Sequence, residues 1–167
     1  MLLVLGVDPG ATGALALVSR EGLVRVHDMP TVKVQVGGGL RTRLNYSELF
    51  NLLQLAHVTG AHRAFIERVH SAPRQGVSSV FAFGEMYGAI RMAVTAAGTP
   101  QELVEPVTWK RPHKLVGQTK DASRQRACEL FPEHSKLFSR KKDDGRADAA
   151  LIAWYGVRQI ATEQGLD

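Results

Sequence analysis

Acidic residues placed directly after apolar runs are where this sequence could do chemistry. Asp8 closes the run Leu2-Leu3-Val4-Leu5-Gly6-Val7 and is followed at once by Pro9-Gly10-Ala11-Thr12-Gly13. Glu67 closes a second run, Ala64-Phe65-Ile66. Asp144 and Asp148 stand four residues apart, on one face of a helix that Leu151, Ile152 and Tyr155 continue. A charge beside so much apolar surface is costly unless it is paired, and like charges brought together push one another's pKa values up. A hard divalent cation relieves both, because Mg²⁺ or Mn²⁺ takes oxygen ligands and keeps positions open for water and phosphate. Two such ions about 3.5–4 Å apart can activate a water and stabilise the leaving oxygen of a phosphodiester. Asp8, Glu67, Asp144 and Asp148 are therefore the candidate metal ligands and catalytic acids, and nucleic-acid hydrolysis is the chemistry they imply. Each also has a plainer reading: a turn aspartate at Asp8, a strand-end surface acid at Glu67, helix caps at Asp143 and Asp144. Asp148, one turn inside the helix on its apolar side, fits no such role.

The elements that must position these acids follow from periodicity. Leu2–Asp8 reads as a strand buried on both faces, Ala14–Val18 as a second strand and Leu23–Asp28 as a third, with Arg20-Glu21-Gly22 a hairpin-like link. Three antiparallel neighbours are the economical arrangement. Pro30–Asn45, with Gly37-Gly38-Gly39 inside it, reads as a mobile basic loop or a ragged hairpin. Leu49, Phe50, Leu52, Leu53 and Ala56 predict a helix to about His57, capped by Asn45 or Ser47. A strand reached through such a crossover lies parallel to an earlier one, which predicts Glu67 beside Asp8 at one sheet edge. A long helix from Val77 to about Ala97 carries apolar residues on more than one face, so a dimer contact is one use for it. A short strand Glu102–Glu105, a helix or turn from Pro106, a helix Ala122–Phe131 and a final helix from Asp143 to about Thr162 complete an α/β chain.

The basic residues come in runs: Lys33, Arg41 and Arg43 in the Gly-rich stretch, Lys110, Lys114 and Lys120 around Gly117, and Lys141 with Lys142 just before the acidic helix. Runs of charge are usually solvated faces, but two that flank an acidic cluster favour a phosphate-bearing ligand. The net charge of +5 points the same way, toward an anionic partner. The 167 residues fit one domain, 1–167, with no second required. A single cysteine, Cys128, excludes an internal disulfide and a cysteine zinc site, and a reducing cytoplasm is its simplest home. The first apolar run lacks a basic leader and is too short for a membrane span, so no membrane partner is expected.

Together the motifs Gly6-Val7-Asp8-Pro9-Gly10, Ile66-Glu67-Arg68-Val69 and Asp144-Gly145-Arg146-Ala147-Asp148-Ala149 resemble those of RuvC-type Holliday-junction resolvases in the ribonuclease H-like superfamily. The four-residue step from Asp144 to Asp148 resembles the phage and mitochondrial branch rather than the usual bacterial spacing of three, and leaves the fourth ligand open between Asp144 and Asp143. The resemblance implies a mixed five-stranded sheet, three antiparallel strands then parallel ones, flanked by helices. It implies a homodimer that grips four-way DNA junctions, in recombination and repair, and makes paired nicks with Mg²⁺ or Mn²⁺, two ions per site. It places the protein in the cytoplasm of a bacterial cell, with a phage-encoded origin open. It assigns Lys110 and Lys120 to the scissile phosphates, Lys120 among the catalytic groups. His70 stands where bacterial relatives carry an aromatic wedge, and Arg74 lies in the same polar loop on the DNA side. Two variants stay open: a broader branched-DNA debranching nuclease, and a non-catalytic junction-binding module. Asp8–Gly13 also resembles the phosphate hairpin of actin-like kinases, but the chain is too short for two such domains and has no second phosphate loop.

Overall fold

The computed structural model describes residues 1–70 and 76–166. Strands β1 (Leu3–Asp8), β2 (Ala14–Ser19) and β3 (Gly22–Asp28) are followed by a hairpin, β4 (Thr31–Val36) and β5 (Gly39–Leu44). Then come α1 (Tyr46–Thr59), β6 (Ala61–Glu67), α2 (Val77–Ala96), β7 (Gln101–Val104), α3 (Pro106–Lys110), α4 (Lys120–Leu130) and α5 (Asp144–Glu163). Tight 3₁₀ turns at Pro132–Phe138 and Lys141–Asp143 lead into α5.

The main sheet has the order β3-β2-β1-β6-β7. β1, β2 and β3 are antiparallel, whereas β6 runs parallel to β1 and β7 parallel to β6. The sheet is the expected mixed α/β architecture. The Pro30–Asn45 stretch differs from the mobile-loop reading: β4 and β5 pair in unbroken register from Thr31↔Leu44 to Val36↔Gly39. Gly37, at φ 59°, makes the tight turn possible, and alternation on both strands outweighs the glycine run. Asn45, not Ser47, caps α1 by accepting the Glu48 N–H at 3.2 Å.

The period of two along the strands decides where the acids go. Leu3, Leu5 and Val7 of β1 and Ala64 and Ile66 of β6 face one core, packed against Leu49 and Leu53 of α1 and Ile90 and Val94 of α2. Val4 of β1 and Phe65 of β6 face the other core, shared with Ala149, Ala153 and Val157 of α5. By the same parity Asp8 and Glu67 turn toward the α5 layer. Gly6 lets that layer come close, because a Cβ there would overlap the backbone of Ala149 and Ala153. The alanine-rich start of α5 is thus seated on β1, one turn from Asp8.

Candidate functional site

Asp8 and Glu67 end adjacent parallel strands, the β1–β6 register running to Val7↔Ile66, the pair just before them. From above, α5 adds Asp144 and Asp148. A cleft of about 430 Å³ is lined by Asp8, Thr12, Lys110, Leu115, Gln118, Ser123, Lys141, Lys142, Asp144, Gly145 and Asp148. Its floor is acidic and its rim basic. Asp8 keeps part of its surface open to the cleft, yet burial, then the charges of Asp148 and Glu67, push its pKa well above the usual carboxylate value, Lys110 opposing. Burial likewise raises Asp148 to about 6, with Glu67 and Asp144 adding repulsion against the stabilising Ser123 hydrogen bond and Lys110 charge. Glu67 is raised by burial, and the Trp109 hydrogen bond and Lys110 pull it back.

Two oxygens in this group lack what burial requires. Asp148 Oδ1 is buried and accepts no hydrogen bond. Asp144 Oδ1 has Arg124 Nη1 at 3.2 Å but not in hydrogen-bonding alignment, so it too is unsatisfied. Orphaned buried carboxylate oxygens, all from hard donors, fit a divalent cation. Among the described residues no group of three or more His, Cys, Asp or Glu side chains is arranged to hold an ion by itself.

Asp143 and Asp144, between which the sequence leaves the fourth ligand open, are placed differently. Asp143 is buried away from the cleft and accepts from the Arg140 backbone N–H at 2.9 Å and from its guanidinium at 2.9–3.2 Å. Burial alone would raise its pKa; the Arg140 hydrogen bonds and charge outweigh that and hold it low. It serves the turn that starts α5, while Asp144 lines the cleft. Arg146 braces the same turn from the other side by a bidentate pair with Asp28 at 2.5 and 2.7 Å.

The basic residues divide. Lys110, Lys141 and Lys142 line the cleft. Lys114 is exposed nearby in a left-handed conformation, φ 61°. Lys33, Arg41 and Arg43 sit on the β4–β5 hairpin instead; Lys33 donates to Thr42 at 2.5 Å, and Arg43 borders a second hollow that reaches Ala11 of the β1–β2 turn. His70 is exposed and paired to Glu105 at 3.1 Å. Arg74, and the side chain of Lys120, fall outside the described residues.

Sequence reasoning missed the neighbours that hold the acids. Trp109 Nε1 donates to Glu67 at 2.7 Å, the Ser123 hydroxyl bonds Asp148, and Arg124 pairs with Asp144. None has a local signature, since each partner comes from a distant segment. The only hint is chain order: Trp109 adjoins Lys110, and Ser123-Arg124 follows Lys120.

No protein-family model and no curated protein matches the chain. Solved structures do. A Thermus thermophilus RuvC structure superposes with a TM-score of 0.56 at 18% identity, over 95% of this chain and 96% of that one. T. thermophilus RuvC in complex with a Holliday junction substrate gives 0.58 at 19%, over 99% and 98%. The chain therefore has the RuvC type of ribonuclease H-like fold.

Proposed function

We propose that this chain, built on that fold as one domain spanning 1–167, is a metal-dependent endonuclease that resolves four-way DNA junctions by paired nicking, in recombination and repair. One observation carries the reading: Asp8, Glu67, Asp144 and Asp148, from three distant segments, converge beside a lysine-rimmed cleft, and Asp144 and Asp148 each keep a buried carboxylate oxygen unsatisfied. These four side chains are the residues that would hold Mg²⁺ or Mn²⁺. Two bound cations would supply the positive charge that an attacking water and the leaving oxygen of a phosphodiester require. The structural neighbour in complex with a Holliday junction makes branched DNA the substrate class to test first.

The chain's own groups have separate tasks in this reading. Lys110, held back in the cleft wall, meets the scissile phosphate, and Lys120 is assigned beside it. Lys141 and Lys142 at the rim take neighbouring phosphates. Lys114, Lys33, Arg41, Arg43, His70 and Arg74 are assigned to the DNA arms farther out; such contacts set affinity and its salt dependence, not the cut position. The exposed apolar part of α2 supports a homodimer, which two symmetric nicks need. Among the described residues no helix is long and apolar enough to cross a membrane, and cytoplasmic action on DNA is part of the proposal.

The test is a synthetic four-way junction incubated with Mg²⁺ or Mn²⁺. Paired nicks should appear with wild type and fall by at least about a thousandfold in Asp8→Asn and Asp148→Asn, while junction binding persists. Binding without cutting in wild type would leave a junction-binding module. Equal cutting of flaps and replication forks would make it a broader debranching nuclease.

A further inference from the structure

Trp109 is fully buried in α3, a helix of five residues, yet both of its polar relationships point to the candidate site. Its indole N–H donates to Glu67 Oε2 at 2.7 Å. Its ring face carries Lys110 Nζ 5.1 Å from the centroid. Behind it, the His113 ring packs edge-on at 6.3 Å, and His113 Nε2 bonds the Leu151 carbonyl of α5 at 3.0 Å. The indole is thus braced against the helix that carries Asp144 and Asp148 while holding the strand-end acid and the cleft lysine.

We propose that Trp109 is a positioning residue that sets Glu67 and Lys110 as one unit; the roles of those two groups rest on the nuclease reading, but the coupling itself does not. A carboxylate at a strand end can rotate about its side-chain bonds, and one short hydrogen bond from a rigid, buried donor fixes one oxygen and with it the orientation of the other. A lysine can swing through several rotamers, and the aromatic face limits it to the side where the acids stand. Partners that orient metal-ligating groups typically change metal affinity or activity by about 10–100-fold when removed.

The chain has two tryptophans, so Trp154→Phe leaves Trp109 as the sole indole. In that background the ¹⁵N–¹H indole cross-peak of Trp109 should shift on Glu67→Gln and again on Mg²⁺ addition to the metal-free protein. Trp109→Phe, which keeps a ring but loses the N–H, should weaken Mg²⁺ binding by about tenfold or more in calorimetry and lower kcat on a junction with KM little changed. A cross-peak indifferent to Glu67→Gln, or unchanged Mg²⁺ affinity in Trp109→Phe, overturns the proposal. Should Trp109→Phe fail to fold, the cross-peak decides alone, since it needs no change at 109. Should wild type cut no junction at all, the nuclease reading falls while the cross-peak and Mg²⁺ titration still decide whether Trp109 positions Glu67.

Discussion

Asp148 shows what burial does to a carboxylate. Its pKa near 6 lies above the ordinary 3.8, so the folded state binds the proton more tightly than the unfolded chain. In metal-free protein the resulting contribution is full below about pH 4 and is lost as pH rises through about 6. The loss is on the order of 2–3 kcal/mol, and Asp8 adds to it in the same direction. Melting temperature in chelator should therefore fall by several degrees between pH 4 and pH 6.5 on account of these groups. Asp148→Asn should flatten that part of the profile and melt higher than wild type at pH 7; Mg²⁺ should restore wild type and not the variant. A variant that melts lower at pH 7 without metal would mean Asp148 is a structural group. The acids themselves were legible in sequence because an apolar run ending on a carboxylate, as at Asp8 and Glu67, and a four-residue step on one helix face, as at Asp144 and Asp148, are local patterns. Trp109, Ser123 and Arg124 were not, because what matters about them is a partner on another element.

Among the elements, α5 on β1 is the contact that makes the site. Gly6 permits it, and Gly156 does the same farther along, where a Cβ would enter the Phe65 ring and Val4. Gly6→Ala should force the helix away from the strand and destabilise the fold by at least about 2 kcal/mol, read as a lower urea midpoint at unchanged m. Lost stability with full metal binding would show that the two layers can reseat without moving Asp148. The crossover rule placed Glu67 beside Asp8 from sequence alone, since β6 is reached through α1 and a strand reached through a helix lies parallel to an earlier one, here β1. The β4–β5 hairpin stayed ambiguous because a glycine triplet and exposed arginines describe a linker as well as a turn. Only the pairing of Val32, Val34 and Val36 with Arg43, Arg41 and Gly39 separates the two.

At the scale of the whole molecule, α2 is the unfinished surface. It buries Ile90 and Val94 against the sheet but leaves Phe81 76% and Met92 63% exposed, large apolar groups on a helix that one sheet face cannot cover. Light scattering should give twice the 18.2 kDa chain mass, and Phe81→Glu should return the single mass while leaving thermal stability of the fold within about 1 kcal/mol. A wild-type monomer would remove the dimer from the functional proposal. Sequence periodicity showed the excess apolar surface on this helix but could not say which residues the sheet would claim. The order in which the acids occur along the chain has its own consequence. Asp8 and Glu67 are synthesised early, whereas Asp144 and Asp148 arrive on α5, after every other described element. Domains fold as units during translation, from the N-terminal side first. Under the proposed nuclease reading, a nascent chain holds Asp8 and Glu67 for most of its synthesis and gains Asp144 and Asp148 only when α5 docks, so a product truncated before α5 should not cut DNA.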